Sequence, residues 1–237
     1  MYSKWARAAT VVMLLMAVSC GGAVPWRNEP VGDEVNVVFT IENNLLFLPS
    51  ATIDGRPGRF FFGSAEVRSV IDPRFGGAST HVLALNERES FHFSPVALDL
   101  GGTGDAIIGA DVWGDKAVTI DYHAGLLTYQ KSGIHPDLMT LYSFSGEPSV
   151  LVSVNGREVS AAVDTALPDT LVLPAGSRGG RGSARVTVAG TNFGAVDVRF
   201  ANTPRARIGN RLLSRFLVTI DYGKHQVGLW RDPRTPL

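Results

Sequence analysis

Hydrophobic positions along the chain come in two kinds of run. The first is a single apolar stretch from about Ala8 to Val18, headed by Lys4 and Arg7 and ended by the small residue Ser19. It is too short to cross a bilayer and has the layout of an export signal, which assigns residues 1–19 to a removable leader. Beyond Cys20 the apolar runs are short, rich in Val, Ile, Thr and Phe, and punctuated by glycine and proline. Few of them carry a helical period, so the chain reads as all-β. Residues 20–35 are polar, contain Gly and Pro, and read as a tether.

The β pattern repeats. Segments starting at Ile107 and Arg207 share Ile-Gly and then the pentapeptide VTIDY, at Val118–Tyr122 and Val218–Tyr222, so that Asp121 and Asp221 lie 100 positions apart. A second pair of segments starts at Ala51 and Val152. It matches Gly55 with Gly156 and Gly63 with Asp164, the latter at a spacing of 101. Matched blocks at nearly one spacing predict a duplication, with one lobe over 36–130, a linker over 131–146 with no clear element, a second lobe over 147–231 and a tail over 232–237. Within each copy a strand reaches Asp54-Gly55 or Asn155-Gly156, residue pairs that tolerate positive φ and favour a tight hairpin. The returning strand ends at Gly63-Ser64-Ala65 or Asp164-Thr165-Ala166. Each copy closes on its VTIDY strand, a turn and a last strand. The two copies are expected to be similar, related by an approximate two-fold axis with Gly63 and Asp164 facing each other across it.

Ala161-Ala162-Val163-Asp164-Thr165-Ala166 resembles the hydrophobic-hydrophobic-Asp-Thr-Gly signature of pepsin- and retropepsin-like aspartic proteases. Ile107-Ile108-Gly109 and Ile208-Gly209 resemble the hydrophobic-hydrophobic-Gly that follows in each lobe. The resemblance spans about Asn36 to Trp230 and implies a bilobal fold of two retropepsin-like barrel lobes. It also implies a catalytic pair of aspartates, one from each lobe, sharing a proton because close like charges cannot both ionise. Here Asp164 with Thr165 stands in the second lobe, but the first-lobe equivalents are Gly63 and Ser64, and glycine has no titratable group. Ala65 and Ala166 replace the signature glycines. Ala175 to Gly182 is short and glycine-rich where the family has a covering flap, and reads as a loop rather than a stiff hairpin. Ser64 and Thr165 keep the hydroxyls that, in the family, bond across the lobe interface.

Asp164 has two readings: a base or relic of one facing a cleft, or a carboxylate capping turn amides in an Asx turn. Without a like-charged neighbour it is expected to stay ionised at neutral pH. Asp121 and Asp221 read as turn caps. Glu66, three residues past Gly63, is expected to point away from the site. The histidines are dispersed and read as surface residues without zinc spacing, Gly101 to Gly104 reads as a turn, and no Gly-x-Ser-x-Gly elbow occurs. No metal or other cofactor is implied.

Cys20 is the only cysteine in the chain, which excludes internal disulfides. Its place after Ala17-Val18-Ser19 resembles a lipobox, which implies a diacylated Cys20 holding the protein in a membrane. Gly21 next to it leans towards the outer membrane, facing the periplasm or the cell surface. Lys+Arg and Asp+Glu balance at 22 each, so no basic face is implied and nucleic acid is an unsuitable partner. Three functions stay open: a non-catalytic module holding a peptide or envelope protein, an active peptidase pairing Asp164 with a carboxylate from elsewhere or from a second molecule, and a scaffold in a larger complex. The incomplete pair of aspartates favours the first. The sequence sets no oligomeric state.

Overall fold

The two VTIDY strands lie side by side at the centre of the protein. In the computed structural model, which describes residues 34–130, 138–176 and 179–234, Ala117–Asp121 pairs antiparallel with Leu217–Asp221. Thr119 faces Thr219, their hydroxyls 2.9 Å apart. Each of these strands turns back through a hairpin into the next, Leu126–Gln130 or Gln226–Trp230. Val35–Val38 and Thr140–Ser143 add the two edges, completing a six-stranded sheet. Two expected boundaries therefore move. Val35, assigned to the tether, already pairs with Tyr129, and the linker contains a strand at 140–143. Neither edge strand has a marked alternating pattern; sheet pairing with a distant hairpin fixes each of them. The export signal, Cys20 and the rest of 1–33 lie outside the described residues, which all belong to one compact unit, Val31–Leu237.

The fold is predominantly β, and its C-terminal half is a closed six-stranded barrel. Its order is Ser149–Val154, Arg157–Val163, Ala206–Ile208, Leu171–Pro174, Thr191–Ala201 and Gly180–Val188, which pairs back onto the first strand. In the N-terminal half the corresponding run of strands does not close. Six strands from Thr40 to Ile108 form one sheet, while Thr52–Ile53, Arg56–Pro57, His81–Ala84 and Ser90–Phe93 form another. Strand length is the physical reason. The hairpin 180–201 has strands of 9 and 11 residues, whereas 81–84 and 90–93 have 4 each. The 7-residue strand Arg157–Val163 has as its counterpart two pieces, Arg56–Pro57 and Phe60–Phe62, interrupted at Gly58 and Arg59 just after a proline that lacks a ladder donor.

The pairings nevertheless follow the sequence spacing. Ala106, Ile107 and Ile108 run parallel to Phe60, Phe61 and Phe62, just as Ala206, Arg207 and Ile208 run parallel to Ala161, Ala162 and Val163. The Asp54-Gly55 and Asn155-Gly156 turns are two-residue hairpins with positive φ at every central position. Two single-turn helices, Ala110–Trp113 and Asn210–Leu213, follow Gly109 and Gly209. A Cβ at Gly109 would come within 2.6 Å of the Glu66 carbonyl oxygen, and one at Gly209 would collide with the Asp169 carbonyl, so both glycines serve close backbone approach. Trp113 fills the N-terminal half, fully buried with Phe62 and Tyr129 at 5.4 and 5.8 Å between ring centroids.

Candidate functional site

Where Gly63-Ser64 meets Asp164-Thr165, four hydrogen bonds cross between the halves. Thr165 Oγ1 donates to the Phe62 carbonyl at 2.7 Å and accepts from the Ser64 amide at 2.9 Å. Ser64 Oγ donates to the Val163 carbonyl at 2.5 Å and accepts from the Thr165 amide at 3.1 Å. Each hydroxyl thus bonds the carbonyl preceding position 63 or 164 on the other side. Both side chains are fully buried, so every partner in this cross depends on the others for satisfaction. The expectation that Ser64 and Thr165 bridge the halves matches this geometry.

The VTIDY tyrosines brace the cross from behind. Tyr222 Oη donates to the Ser64 carbonyl at 3.2 Å. On the other side Tyr122 Oη donates at 2.7 Å to Asn210 Oδ1, and Asn210 Nδ2 donates at 2.6 Å to the carbonyls of both Thr165 and Asn44. Asn210 is interposed where the first half has Ala110, and it is 2% exposed. The sequence signal for these residues was the repeat itself; the tyrosine recurs because a buried carbonyl on each side needs a donor.

Asp164 is 2% exposed. Its Oδ1 accepts from the Ala166 amide at 3.0 Å, the Asx-type contact of the structural reading. Its Oδ2 lies 2.7 Å from Nη1 of Arg207. The sequence alone did not single out Arg207, whose repeat mate is Ile107. A lone cation in an apolar strand, set against a lone acid in the matching turn, was the available signal. The same guanidinium lies 3.8 Å from Glu147, which is also 3.6 Å from Arg205.

Burial pushes the Asp164 carboxyl above its ordinary value, Arg207 and the Ala166 amide pull it down, and Glu147 adds a small upward push. The expectation of a carboxylate without like-charged neighbours is corrected, because acidic neighbours as well as burial push it up. Glu66 is one of those neighbours. It does not point away: its Cγ lies 3.0 Å from where a Cβ on Gly63 would stand, and burial followed by the charge of Asp164 pushes its carboxyl up. Ile107 Cγ2 would lie only 2.5 Å from that same Cβ. The space opposite Asp164 is therefore occupied by Ile107 and the stem of Glu66.

The remaining assignments separate. Asp121 Oδ1 accepts from the amides of His123 and Ala124, and Asp221 Oδ1 from that of Lys224, so both cap their turns. The glycine-rich stretch is not all loop: Gly180 to Gly182 already pair with Phe200 to Val198 in the long hairpin of Gly180–Val188 and Thr191–Ala201, because their backbone finds ladder partners there, while Ser177 and Arg178 lie outside the described residues. Among the described residues no group of His, Cys, Asp and Glu is arranged to hold a metal ion. No helix among them is long and apolar enough to cross a membrane.

His81 corrects the surface reading of the histidines. It is 9% exposed, with Nδ1 at 2.6 Å from Asp54 Oδ2 and Nε2 at 2.9 Å from the Gly77 carbonyl. Both nitrogens face acceptors, so the imidazolium is favoured: the Asp54 bond and then the Gly77 carbonyl raise His81, and the His81 bond and then the Val82 amide lower Asp54. Ser79 Oγ is also 3.3 Å from Nε2, but Nε2 donates to the nearer Gly77 carbonyl and so presents no lone pair to act as a base towards the hydroxyl. The pair's contribution to stability is fully present only between the ordinary values of 3.8 and 6.5. It is lost as pH falls through the lowered Asp54 value or rises through the raised His81 value. Urea unfolding of the wild type from about pH 6 to pH 9 is expected to show this decline, and Asp54→Asn, which suits the positive φ of the turn, is expected to flatten it. Equal pH slopes in the two proteins would exclude a contribution from the Asp54–His81 pair.

No protein-family model matches the chain, and no curated protein matches its sequence.

Proposed function

We propose that this chain is an exported lipoprotein of two degenerate aspartic-protease-like lobes, and that it binds a peptide or envelope protein without cleaving it. Two features support the lobes: strand registers that recur at spacings of 100 and 101, and the mutual bonding of Ser64 and Thr165. The observation that carries the non-catalytic reading is the Arg207–Asp164 pair at 2.7 Å, set opposite a glycine whose side-chain space Ile107 fills. Hydrolysis by an acid pair needs one carboxylate to take a proton from water while its protonated partner polarises the carbonyl. Here one Asp164 oxygen is bonded to a guanidinium and the other to a turn amide, and no carboxyl extends from position 63. A fixed cation favours the ionised carboxylate but leaves no shared proton to donate.

The test is digestion of an unbiased peptide library between about pH 3 and pH 7, the range in which carboxyl pairs titrate. Wild type, Asp164→Asn and Glu66→Gln are expected to be equally inert. A second reading rests on Glu66, whose carboxyl feels the charge of Asp164: an acid peptidase using this pair. Cleavage lost in both variants would establish it and remove the non-catalytic reading.

Anchoring at Cys20, with the outer membrane as destination, belongs to the same proposal and rests on the apolar signal before it. Intact-mass measurement of the protein recovered from bacterial membranes is expected to give an acylated chain beginning at Cys20, with Cys20→Ala released or unprocessed. An unmodified amino terminus elsewhere would reject the anchor.

A further inference from the structure

A groove of about 550 Å³ lies away from Asp164, walled by the Asn44 turn on one side and by the segment from Arg211 to Arg215 on the other. Its apolar lining is Phe193 and Val196, both half-buried, and Leu212, which is buried. Phe193 is held in place by Phe216, the ring centroids 5.6 Å apart, and Phe216 is itself buried. The walls are tied together, since Asn210, one residue before Arg211, donates to the Asn44 carbonyl at 2.6 Å. The groove is thus a preformed feature rather than a gap between loosely related segments.

Its charge is one-sided. Arg211 and Arg215 line it, both exposed, neither with an ion pair among the described residues, and no carboxylate lines it. A smaller cavity of about 130 Å³ continues it past Arg211 to Arg181. There Asp169 pairs with Arg199 at 2.8 Å and Asp197 also lines the wall with Arg181 and Arg211, so the acidic groups lie in the smaller cavity and the larger groove keeps Arg211 and Arg215 as its charged lining. In a chain of formal net charge +0, a concave apolar strip flanked by two free guanidinium groups is a local asymmetry with a definite complement. Arginine forks match carboxylates, and an aromatic floor takes a flat or branched apolar side chain.

We propose that this groove docks an acidic peptide segment, with an apolar side chain against Phe193 and Val196 and flanking carboxylates on Arg211 and Arg215. The inference rests on the peptide-binding reading above and places the binding surface at this groove instead of over Asp164. A peptide suits it better than an anionic lipid surface, because the apolar floor is recessed between two chain segments and the cations number two rather than forming a broad face.

The experiment uses the full-length protein in detergent and two fluorescein-labelled dodecapeptides of equal apolar content, one with Glu flanking Phe and one with Lys in place of Glu. Fluorescence anisotropy is expected to show the Glu peptide binding at least about tenfold tighter than the Lys peptide. Arg211→Glu with Arg215→Glu is expected to abolish or reverse that preference. A charge-matched control on exposed residues of the N-terminal half, Arg68→Glu with Arg88→Glu, is expected to change it less than about twofold. Undiminished binding of the Glu peptide by the first double variant would overturn the groove while leaving peptide binding itself intact. Equal loss in both double variants would reduce the effect to overall charge and overturn the assignment. Failure of the wild type to bind either peptide, or binding through these arginines to phosphatidylglycerol vesicles alone, would overturn it too.

Discussion

Arg207→Ala is expected to destabilise the fold by about 3 kcal/mol at neutral pH, towards the lower end for breaking a buried ion pair because Arg207 is partly exposed. Asp164 stays buried after the change, with only the Ala166 amide to hold its charge. Because burial already raises the Asp164 carboxyl, losing the guanidinium raises it further, so the residue is protonated at a higher pH than in the wild type. The deficit should therefore shrink as pH is lowered through that raised value, since protonation removes the uncompensated charge. Arg207→Ile combined with Asp164→Gly copies the pair that the first half carries at Ile107 and Gly63, and should recover most of the loss. Urea unfolding at about pH 7 and pH 5 measures all of this. A pH-independent loss, or a double variant no better than Arg207→Ala, would show that the pair is not the source.

Thr165→Val should cost a similar amount, about 3 kcal/mol, through a different mechanism. The shape is kept, but the Phe62 carbonyl and the Ser64 amide both lose their buried partner, and each orphaned group costs about 1–3 kcal/mol. Ser64→Ala does the same to the Val163 carbonyl and the Thr165 amide. Because the two hydroxyls support one arrangement, the double variant should cost less than the sum of the singles. Thr165→Ser keeps the hydroxyl and should stay near wild type. Full additivity in urea unfolding would mean that the crossed bonds do not act as a unit.

What could be read from the sequence was what is local or repeated. Asp54-Gly55 and Asn155-Gly156 announce their hairpins because only certain residues accept positive φ there, and Asp121 and Asp221 announce their turns by the amides two and three residues on. The match of Gly63 with Asp164 located the crossed bonds because an equal spacing carries each position to its counterpart. What could not be read depends on neighbours far apart in the chain. Nothing near Glu66 tells that its stem turns towards Gly63, and nothing near His81 tells that Asp54 lies beside it, 27 positions earlier. Closure of one barrel and not the other turns on strand lengths, which similarity between the copies obscured. Arg207 was hidden in the same way, since its repeat mate, Ile107, belongs to an apolar strand.

The central pairing of Ala117–Asp121 with Leu217–Asp221 has a bearing on how the protein is made. Its partners are separated by about a hundred residues, whereas the flanking hairpins 117–130 and 217–230 are local. Closing so long a loop costs entropy before any ladder bond repays it, so the hairpins form early and the sheet's middle seam forms late. Until Leu217–Asp221 has emerged, Ala117–Asp121 remains an open edge with unpaired backbone groups, and a nascent chain is most exposed to pairing with the wrong strand at that stage.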